Sequence, residues 1–187
     1  MFATLNPALL IIDVQQAIDH YSDKPRSNPE AEQNMQLLLE YWRKLKRPIF
    51  HIRHASKFSQ SPYHPEADTY EFKPEVMPKV GETIITKQEN SAFIHTELDH
   101  RLKLEEVSEI VICGVLTNNS VDATVRVAAA LGYRTLVVKD ATAAGTLVME
   151  DGRVIEAELV QAIFLANIHG EYAQVVPTQD IVNAEFG

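Results

Sequence analysis

The stretch EIVICGVLTNNS, residues 109–120, begins with a continuous apolar run and ends in polar residues. Two similar stretches stand earlier in the chain, ALLIID at residues 8–13 and ETIITK at residues 82–87. Runs of Val, Ile and Leu bounded by polar residues are typical of strands with helices over both faces, as in parallel sheets. These stretches therefore predict buried strands of one mainly parallel sheet.

Each of these runs is followed closely by a polar residue that could take part in catalysis: Asp13, Lys87 and Ser120. The carboxyl ends of parallel strands share one edge of the sheet, and ligands of such sheets bind at that edge. We therefore expect a carboxylate, an ammonium group and a hydroxyl group to meet there. This convergence predicts an active site.

The rest of the chain alternates between strand and helix patterns. Further candidate strands lie at residues 48–53, 135–139 and 173–176, and helical patterns lie between most of the strands. Such alternation predicts an α/β fold with a mainly parallel sheet and right-handed crossover connections.

Two helices have start signals in the sequence. The first is expected to use Asn28 as its N-cap and to end before Pro48, which cannot continue a helix. The second is expected to begin near Thr96, because Thr96 and Asp99 have the spacing of a capping box.

Two more helices are predicted from apolar spacing. One begins at Asn119 or Ser120 and stops at Gly132. The other helix is predicted because apolar residues recur at helical spacing, namely Ile155, Leu159, Ala162, Ile163 and Ala166.

Residues 54–82 break this alternation. They contain four prolines and show no steady apolar period. A structureless stretch of this length inside a compact domain is usually functional or mobile. We therefore expect residues 54–82 to form a flap over the site.

Length and composition narrow the class of protein. The 187 residues have the length of one domain, and we expect residues 1–187 to form a single domain. The net charge of -9 argues against a nucleic-acid partner, because binding phosphates needs clustered Lys and Arg. No apolar stretch approaches the ~20 residues of a membrane span and no signal peptide is evident, so we predict no membrane partner and a cytoplasmic location.

The single cysteine, Cys113, lies inside the apolar run EIVICG. One cysteine cannot make an internal disulfide, which agrees with a reducing compartment. A cysteine in such a run is usually a small buried residue, and we interpret Cys113 in this way rather than as a nucleophile.

The string GVLTNNSVDATVRVAAALGY at residues 114–133, with IIDVQ at 11–15 and ITKQENSAF at 85–93, closely resembles the isochorismatase-like hydrolase superfamily over most of the chain. The resemblance implies a three-layer α/β/α fold with a six-stranded, mostly parallel sheet, and a homo-oligomer such as a dimer or tetramer. It also implies that the catalytic Asp, Lys and Cys of the family correspond to Asp13, Lys87 and Ser120. The serine departs from the family pattern.

The serine at position 120 changes the chemistry that the resemblance implies. A Cys thiol has a reference pKa of ~8.5 and becomes a thiolate near a cation and a helix N-terminus, whereas a Ser hydroxyl normally needs a base such as His. Amidase-like members, which hydrolyse nicotinamide, carbamoyl or ureido compounds through a thioester, are therefore disfavoured. True isochorismatases resemble this chain in having another residue at that position, and their reaction needs no covalent nucleophile.

We therefore predict hydrolysis of a small anionic metabolite without a covalent intermediate or a cofactor. By resemblance, this would be vinyl-ether hydrolysis, as of isochorismate, with Asp13 as the general acid. Two alternatives remain open. One is a C–N hydrolase with Ser120 as the nucleophile, which agrees with the likeness of LTNN to the TN motif of Cys-dependent members. The other is a retired scaffold that serves in binding.

An anionic substrate predicts basic residues around the pocket. Arg53, His54 and Lys57 follow the second strand, and Arg53 is the preferred ligand because its guanidinium group can hold a carboxylate with two hydrogen bonds. Phe93 resembles the aromatic residue that follows the catalytic Lys in the family, and it is expected to line the pocket or to be a core ring.

The resemblance also has implications for the backbone, for substrate contacts and for metal binding. It implies a cis peptide bond between Val115 and Leu116, and it places Leu116 and Asn119 beside the substrate. Nicotinamidases of this superfamily bind a metal through an Asp and two His, with an Asp-x-His arrangement after the second strand. The corresponding stretch here is HIRHAS at residues 51–56, which lacks the Asp, so no metal site is predicted.

Overall fold

In the computed structural model, which describes residues 6–21 and 25–183, six parallel strands form one sheet in the order β3-β2-β1-β4-β5-β8. Its strands are β1 (Ala8–Ile12), β2 (Ile49–His54), β3 (Thr83–Lys87), β4 (Glu109–Val115), β5 (Arg134–Ala143) and β8 (Gln174–Val176). The predicted α/β fold with a mostly parallel, six-stranded sheet is confirmed.

Helices cover both faces of this sheet. They are α1 (Ala31–Leu45), α2 (Leu98–Leu104), α3 (Asp122–Ala130), α4 (Ala157–Ile168) and α5 (Thr178–Val182). Successive residues of β1 point to opposite faces of the sheet. Leu10 and Ile12 pack in a cluster with residues of α2, α3 and α4, whereas Leu9 and Ile11 pack with residues of α1 and α5. The apolar runs of β1 and β4 are continuous because both faces are buried. The prediction of a buried strand is wrong for β3, which lies at the edge of the sheet and exposes Ile84 and Thr86.

The predicted caps of the first two helices are wrong in detail. Helix α1 begins after Glu30, and the side chain of Asn28 donates to the carbonyl oxygens of Lys139 and Thr142 instead of capping the helix. Before α2, the Thr96 hydroxyl accepts the N–H of Leu98 rather than that of Asp99, and the Asp99 carboxylate binds Lys103 and Tyr133. In both cases another polar group competes for the predicted capping side chain.

The fourth helix is present as α4, but most of the apolar residues whose spacing predicted it are exposed. In α4, the side chains of Leu159 and Ile163 are each 53% exposed, and those of Ala162 and Ala166 are exposed as well. The buried residues of the helix are Ala157, Val160, Gln161, Leu165 and Ile168. Apolar residues lie on both sides of α4, so their spacing alone could not identify the side that packs on the sheet.

Other boundaries differ by a turn or less, except around β5. Helix α3 follows a π turn, Thr117–Val121, and ends at Ala130. Strand β5 runs on to Ala143, and two short antiparallel strands, β6 (Leu147–Val148) and β7 (Val154–Ile155), come before α4. The sequence pattern did not indicate this hairpin.

The segment between β2 and β3, residues 55–82, contains one short 3-10 turn at Pro74–Val76 and otherwise irregular backbone. It packs along the chain that leaves β1, because Phe72 forms an antiparallel bridge with Gln15 and the N–H of Lys73 donates to the carbonyl oxygen of Val14. Tyr70, Phe72 and Val76 are buried. The segment therefore covers the carboxyl end of β1.

One glycine sets the distance between β1 and β4. Gly114 has a φ of 126° and lies opposite Ile12 in the parallel register. A Cβ atom at Gly114 would overlap the backbone carbonyl group of Ile12. Only glycine fits this contact, which brings the end of β1 beside the turn that follows β4.

We expect Gly114→Ala to lower the free energy of unfolding by well over about 1 kcal/mol, because the added methyl group meets backbone and the φ is unfavourable for alanine. Urea unfolding can be followed by the fluorescence of the single tryptophan, the buried Trp42. Gly145→Ala is a matched control, since its Cβ would make an ordinary contact of 3.6 Å with Leu116 Cδ1. Equal midpoints for the two variants would contradict the steric argument.

Candidate active site

Asp13 follows the last residue of β1 in an unusual backbone conformation. Its φ is 55°, and its N–H donates to the carbonyl oxygen of Ile52 at 2.9 Å. Its carboxylate Oδ2 lies 2.7 Å from Lys87 Nζ. The other oxygen, Oδ1, is buried and has no hydrogen-bond partner among residues 6–21 and 25–183. Asp13 thus has one paired oxygen and one unused acceptor.

Lys87 is the last residue of β3 and is 1% exposed. An ammonium group has three N–H donors. Lys87 Nζ lies 2.7 Å from Asp13 Oδ2, and it donates to Ser120 Oγ at 3.1 Å and to the carbonyl oxygen of Glu89 at 3.2 Å. Each donor has an acceptor, so the buried charge is both paired and hydrogen-bonded.

Ser120 lies in the π turn between β4 and α3 and is 6% exposed. The carbonyl oxygen of Leu116 accepts the N–H groups of Asn119 and Val121, which fixes the start of this turn. Ser120 Oγ accepts its hydrogen bond from Lys87. The three residues that the sequence placed at one sheet edge are therefore brought together by one ammonium group.

A cavity of about 580 Å³ opens beside these groups, and Asp13 and Ser120 line it. The segment between β2 and β3 contributes Ser61 and Tyr63, which is the part of the predicted flap that reaches the cavity. The turn after β4 contributes Val115, Leu116, Asn118 and Asn119, of which Leu116 and Asn119 are predicted site residues. The chain after β5 contributes Gly145, Thr146 and Leu147. The peptide bond between Val115 and Leu116 is cis.

His54 lines the cavity, as the sequence led us to expect, and it stands in register with Lys87 on the neighbouring strand. Burial lowers the pKa of His54, and the nearby Lys87 ammonium lowers it further, so the imidazole is neutral at pH 7. Its Nδ1 atom is buried, without a hydrogen-bond partner in the described part of the chain. Its ring packs edge-on against Tyr63, with 5.9 Å between centroids.

Arg53 does not reach the cavity. Its Nε donates to Thr86 Oγ1 at 3.0 Å, and its guanidinium group lies 4.9 Å from the centre of the Tyr70 ring. Neighbouring residues of a strand point to opposite faces, so the position that directs His54 inward directs Arg53 away. Lys57, the third candidate, is exposed and pairs with Glu89 at 3.1 Å.

Phe93 takes the second of its two expected positions. It is 8% exposed and stacks on Tyr133, with ring centroids 5.8 Å apart, inside the apolar cluster beneath α2 and α3. It is a core ring and is not among the residues that line the cavity. Cys113 is also buried, and burial raises the pKa of its thiol well above the usual range, so it stays protonated.

Two residues of the site were missed in the sequence. Gln15 is fully buried; its Oε1 accepts the N–H of His54, and its Nε2 donates to the carbonyl oxygen of Tyr70 at 2.8 Å. Gln15 therefore joins the end of β1 to β2 and to the covering segment. Arg26 lines the cavity and pairs with Glu32 at 2.7 Å, although no pattern around it in the sequence indicated a role.

Across the described residues there is no group of three or more His, Cys, Asp or Glu side chains arranged to hold a metal ion. His51 is buried elsewhere, with its Nε2 2.8 Å from Glu82 Oε2. Burial would raise the pKa of Glu82, but hydrogen bonds from Arg43, from the N–H of Lys79 and from His51 outweigh it and hold this pKa at about 2. None of the helices described could cross a membrane.

Comparisons with known proteins agree on the family. Residues 7–167 match the isochorismatase domain family. The chain is 37% identical to the uncharacterised isochorismatase family protein YrdC of Bacillus subtilis over 176 residues, which cover 94% of each chain. A solved isochorismatase-family structure from Chromobacterium violaceum has a TM-score of 0.93 at 44% identity and covers 97% of this chain and 94% of its own. A weaker match, 25% over 114 residues, covers 59% of this chain and 50% of the ureidoacrylate amidohydrolase RutB of Azorhizobium caulinodans.

The chain therefore belongs to the isochorismatase family of hydrolases.

The ion pair can be tested by removing its partners separately and together. We expect Lys87→Met to lower the free energy of unfolding by about 3–5 kcal/mol, because it leaves the Asp13 carboxylate buried without a counter-charge. Asp13→Asn leaves the ammonium unpaired and should also destabilise the fold. The double variant should recover part of the loss, since neither charge remains.

Urea unfolding of the four proteins measures this coupling. Lys57→Met is the matched control, because the Lys57–Glu89 pair has the same kind of partners but is exposed. Its unfolding midpoint should stay close to that of the unchanged protein. Strictly additive losses in the double variant would show that Asp13 and Lys87 do not depend on each other.

Proposed function

We propose that this protein hydrolyses a small anionic metabolite without forming a covalent intermediate, with Asp13, Lys87 and Ser120 as its catalytic residues. The observation that supports this most is the hydrogen bond that Lys87 donates to Ser120 Oγ while it also pairs with Asp13. A hydroxyl oxygen that accepts from an ammonium group is a weaker nucleophile, and its own proton remains free to orient water or substrate.

The proposed reaction is the hydrolysis of a vinyl ether, of which isochorismate is an example. This reaction requires Asp13 to be protonated when the substrate is bound. Asp13 then transfers its proton to the terminal vinyl carbon, which leaves positive charge on the carbon attached to the ether oxygen. Water adds to that carbon and returns a proton to Asp13. The hemiketal then breaks into an alcohol and a keto acid. The unused Oδ1 of Asp13, next to the cavity, suits a group that transfers a proton there.

A C–N hydrolase with Ser120 as its nucleophile is the second candidate. It is favoured by His54, a neutral imidazole with an unused Nδ1 in the same cavity, because a serine nucleophile needs a base of this kind. The similarity to a ureidoacrylate amidohydrolase points to the same class of bond. Asp13 and Lys87 would then position the base and the substrate.

Ser120→Ala separates the two candidates. In the non-covalent reaction the hydroxyl only orients its neighbours, so we expect kcat to fall by no more than about tenfold. A serine nucleophile should lose nearly all turnover when the hydroxyl is removed. The measurement is steady-state turnover of isochorismate and of a panel of small amides and ureido acids.

Asp13→Asn is the positive control, because both candidates need that carboxylate. An acyl group on Ser120 detected by mass spectrometry would decide for the covalent reaction. Absence of turnover of every compound by the unchanged protein would instead favour a retired scaffold that binds ligands.

We also propose that the protein forms a homo-oligomer, a dimer or a tetramer. The outward side of α4 and the hairpin before it expose large apolar side chains: Val148 (71%), Met149 (45%), Val154 (55%), Leu159 (53%) and Ile163 (53%). These lie within sixteen consecutive residues, 148–163, and patches of this kind are typical of protein contacts.

A cytoplasmic location remains a prediction from the sequence.

Leu159→Glu combined with Ile163→Glu tests the oligomer. We expect the unchanged protein to have the mass of a dimer or tetramer by light scattering, and the double variant to have the mass of a monomer, because charges in an apolar contact are costly. Val80→Glu is a control at another highly exposed apolar residue. A monomeric unchanged protein would contradict the proposal.

A further inference from the structure

Arg26 is fixed to the β5 side of the cavity by its backbone. It forms an antiparallel bridge with Gly145, which lies just beyond the end of β5. The next residue, Ser27, donates its N–H to the carbonyl oxygen of Ala144 at 3.0 Å, and its Oγ accepts the N–H of Ala144 at 2.9 Å. Arg26 is therefore part of the wall rather than a loose surface side chain.

The guanidinium group of Arg26 is held by one carboxylate and has donors to spare. Its Nη2 lies 2.7 Å from Oε1 of Glu32, whose side chain is 8% exposed. Its Nη1 is buried and has no hydrogen-bond partner in the described ranges, residues 6–21 and 25–183. Buried N–H donors in native proteins are almost always bonded, so an unused one on a residue that lines the cavity suits an acceptor on a ligand.

Among the described charged groups around the cavity, Arg26 is the cation that remains available to a ligand. Among the described residues that line the cavity, the other charged side chain is that of Asp13, which is paired with Lys87. The acceptors of Lys87 already match its three donors. His54 is neutral because burial lowers its pKa. Within the described part of the wall, an anion that enters the cavity therefore meets Arg26 as a cation with a free donor.

The position of Arg26 suits a small molecule that also reaches Asp13. One strand, β4, lies between β1 and β5, so the ends of β1 and β5 are about 10 Å apart at the usual strand spacing. Asn118, two residues before Ser120, accepts the N–H of Gly145 at 3.2 Å and thereby ties the Arg26 wall to the catalytic turn. The two parts of the cavity are thus held at a fixed separation.

We propose that Arg26 is the subsite for a carboxylate group of the substrate. The planar guanidinium group matches a carboxylate, and its pairing with Glu32 through Nη2 leaves Nη1 available as a donor. This inference rests on the proposed function only in assigning the carboxylate to a substrate.

The test compares two probes of the same shape that differ in charge, benzoate and benzamide, by isothermal titration calorimetry on the full chain. Benzoate should bind more tightly than benzamide to the unchanged protein. Arg26→Gln should weaken benzoate binding by about tenfold or more and leave benzamide unaffected, since a charged hydrogen bond is lost. Arg26→Lys, which keeps the charge without the planar fork, should fall between them.

Arg53→Gln is the matched control, because it removes an arginine that lies outside the cavity, and it should bind benzoate like the unchanged protein. The proposal is overturned if Arg26→Gln binds benzoate as tightly as the unchanged protein, or if that protein does not prefer benzoate. If Arg26→Gln does not fold, Glu32→Gln replaces it. That variant removes the competing carboxylate and should bind benzoate more tightly, and equal or weaker binding counts against the subsite.

Because these binding experiments need no turnover, they distinguish failure of the Arg26 subsite from failure of the proposed reaction. Intact, Arg26-dependent benzoate binding without hydrolysis of any compound would refute the proposed reaction and keep the subsite. Turnover that is unchanged in KM and kcat by Arg26→Gln would refute the subsite and keep the reaction.

Discussion

The buried ammonium group of Lys87 is the interaction on which the site depends. A cation with 1% exposure is stable only if its charge is paired and its donors are bonded. The three acceptors come from different parts of the chain: Asp13 after β1, Ser120 after β4, and the carbonyl group of Glu89 after β3. The site is therefore complete only when the chain segments that follow β1, β3 and β4 are packed around Lys87.

The backbone around this cation is shaped to bring its acceptors close. Asp13 takes a left-handed φ as it leaves β1, and Gly114 allows β4 to approach β1 without a side chain between them. Gln15 then bonds the backbone of β2 and of the covering segment. These features cost conformational freedom, and they lie next to the cavity rather than elsewhere in the sheet.

The sequence predicted the sheet and the central residues because both follow from local patterns. The apolar runs identify the strands, and those of β1 and β4 are buried on both faces. A polar residue at the end of such a run lies at the carboxyl edge of the sheet, as Asp13, Lys87 and Ser120 do. Arg53 and His54 show the limit of this rule, since they are adjacent and only one of them can point into the cavity. The pattern did not show which of the two that would be.

The remaining differences arise from contacts between distant parts of the chain. Asn28 would have been a good helix cap, but carbonyl groups at Lys139 and Thr142 need its donors. Arg26 becomes a wall residue only through its bridge to Gly145. The residues of α4 are apolar on both sides, so the side that faces the sheet is decided by packing on α3 and the π turn and not by spacing.

The same ammonium group explains why one atom at position 120 has large chemical consequences. A thiol in that place would lie beside a cation that favours its thiolate form, and thiolates are strong nucleophiles near neutral pH. A hydroxyl group does not ionise under those conditions, so the same hydrogen bond from Lys87 holds it as a neutral acceptor. In the reaction that we propose, Ser120 therefore orients water or substrate rather than attacking it, and recognition of the substrate depends on the wall of the cavity.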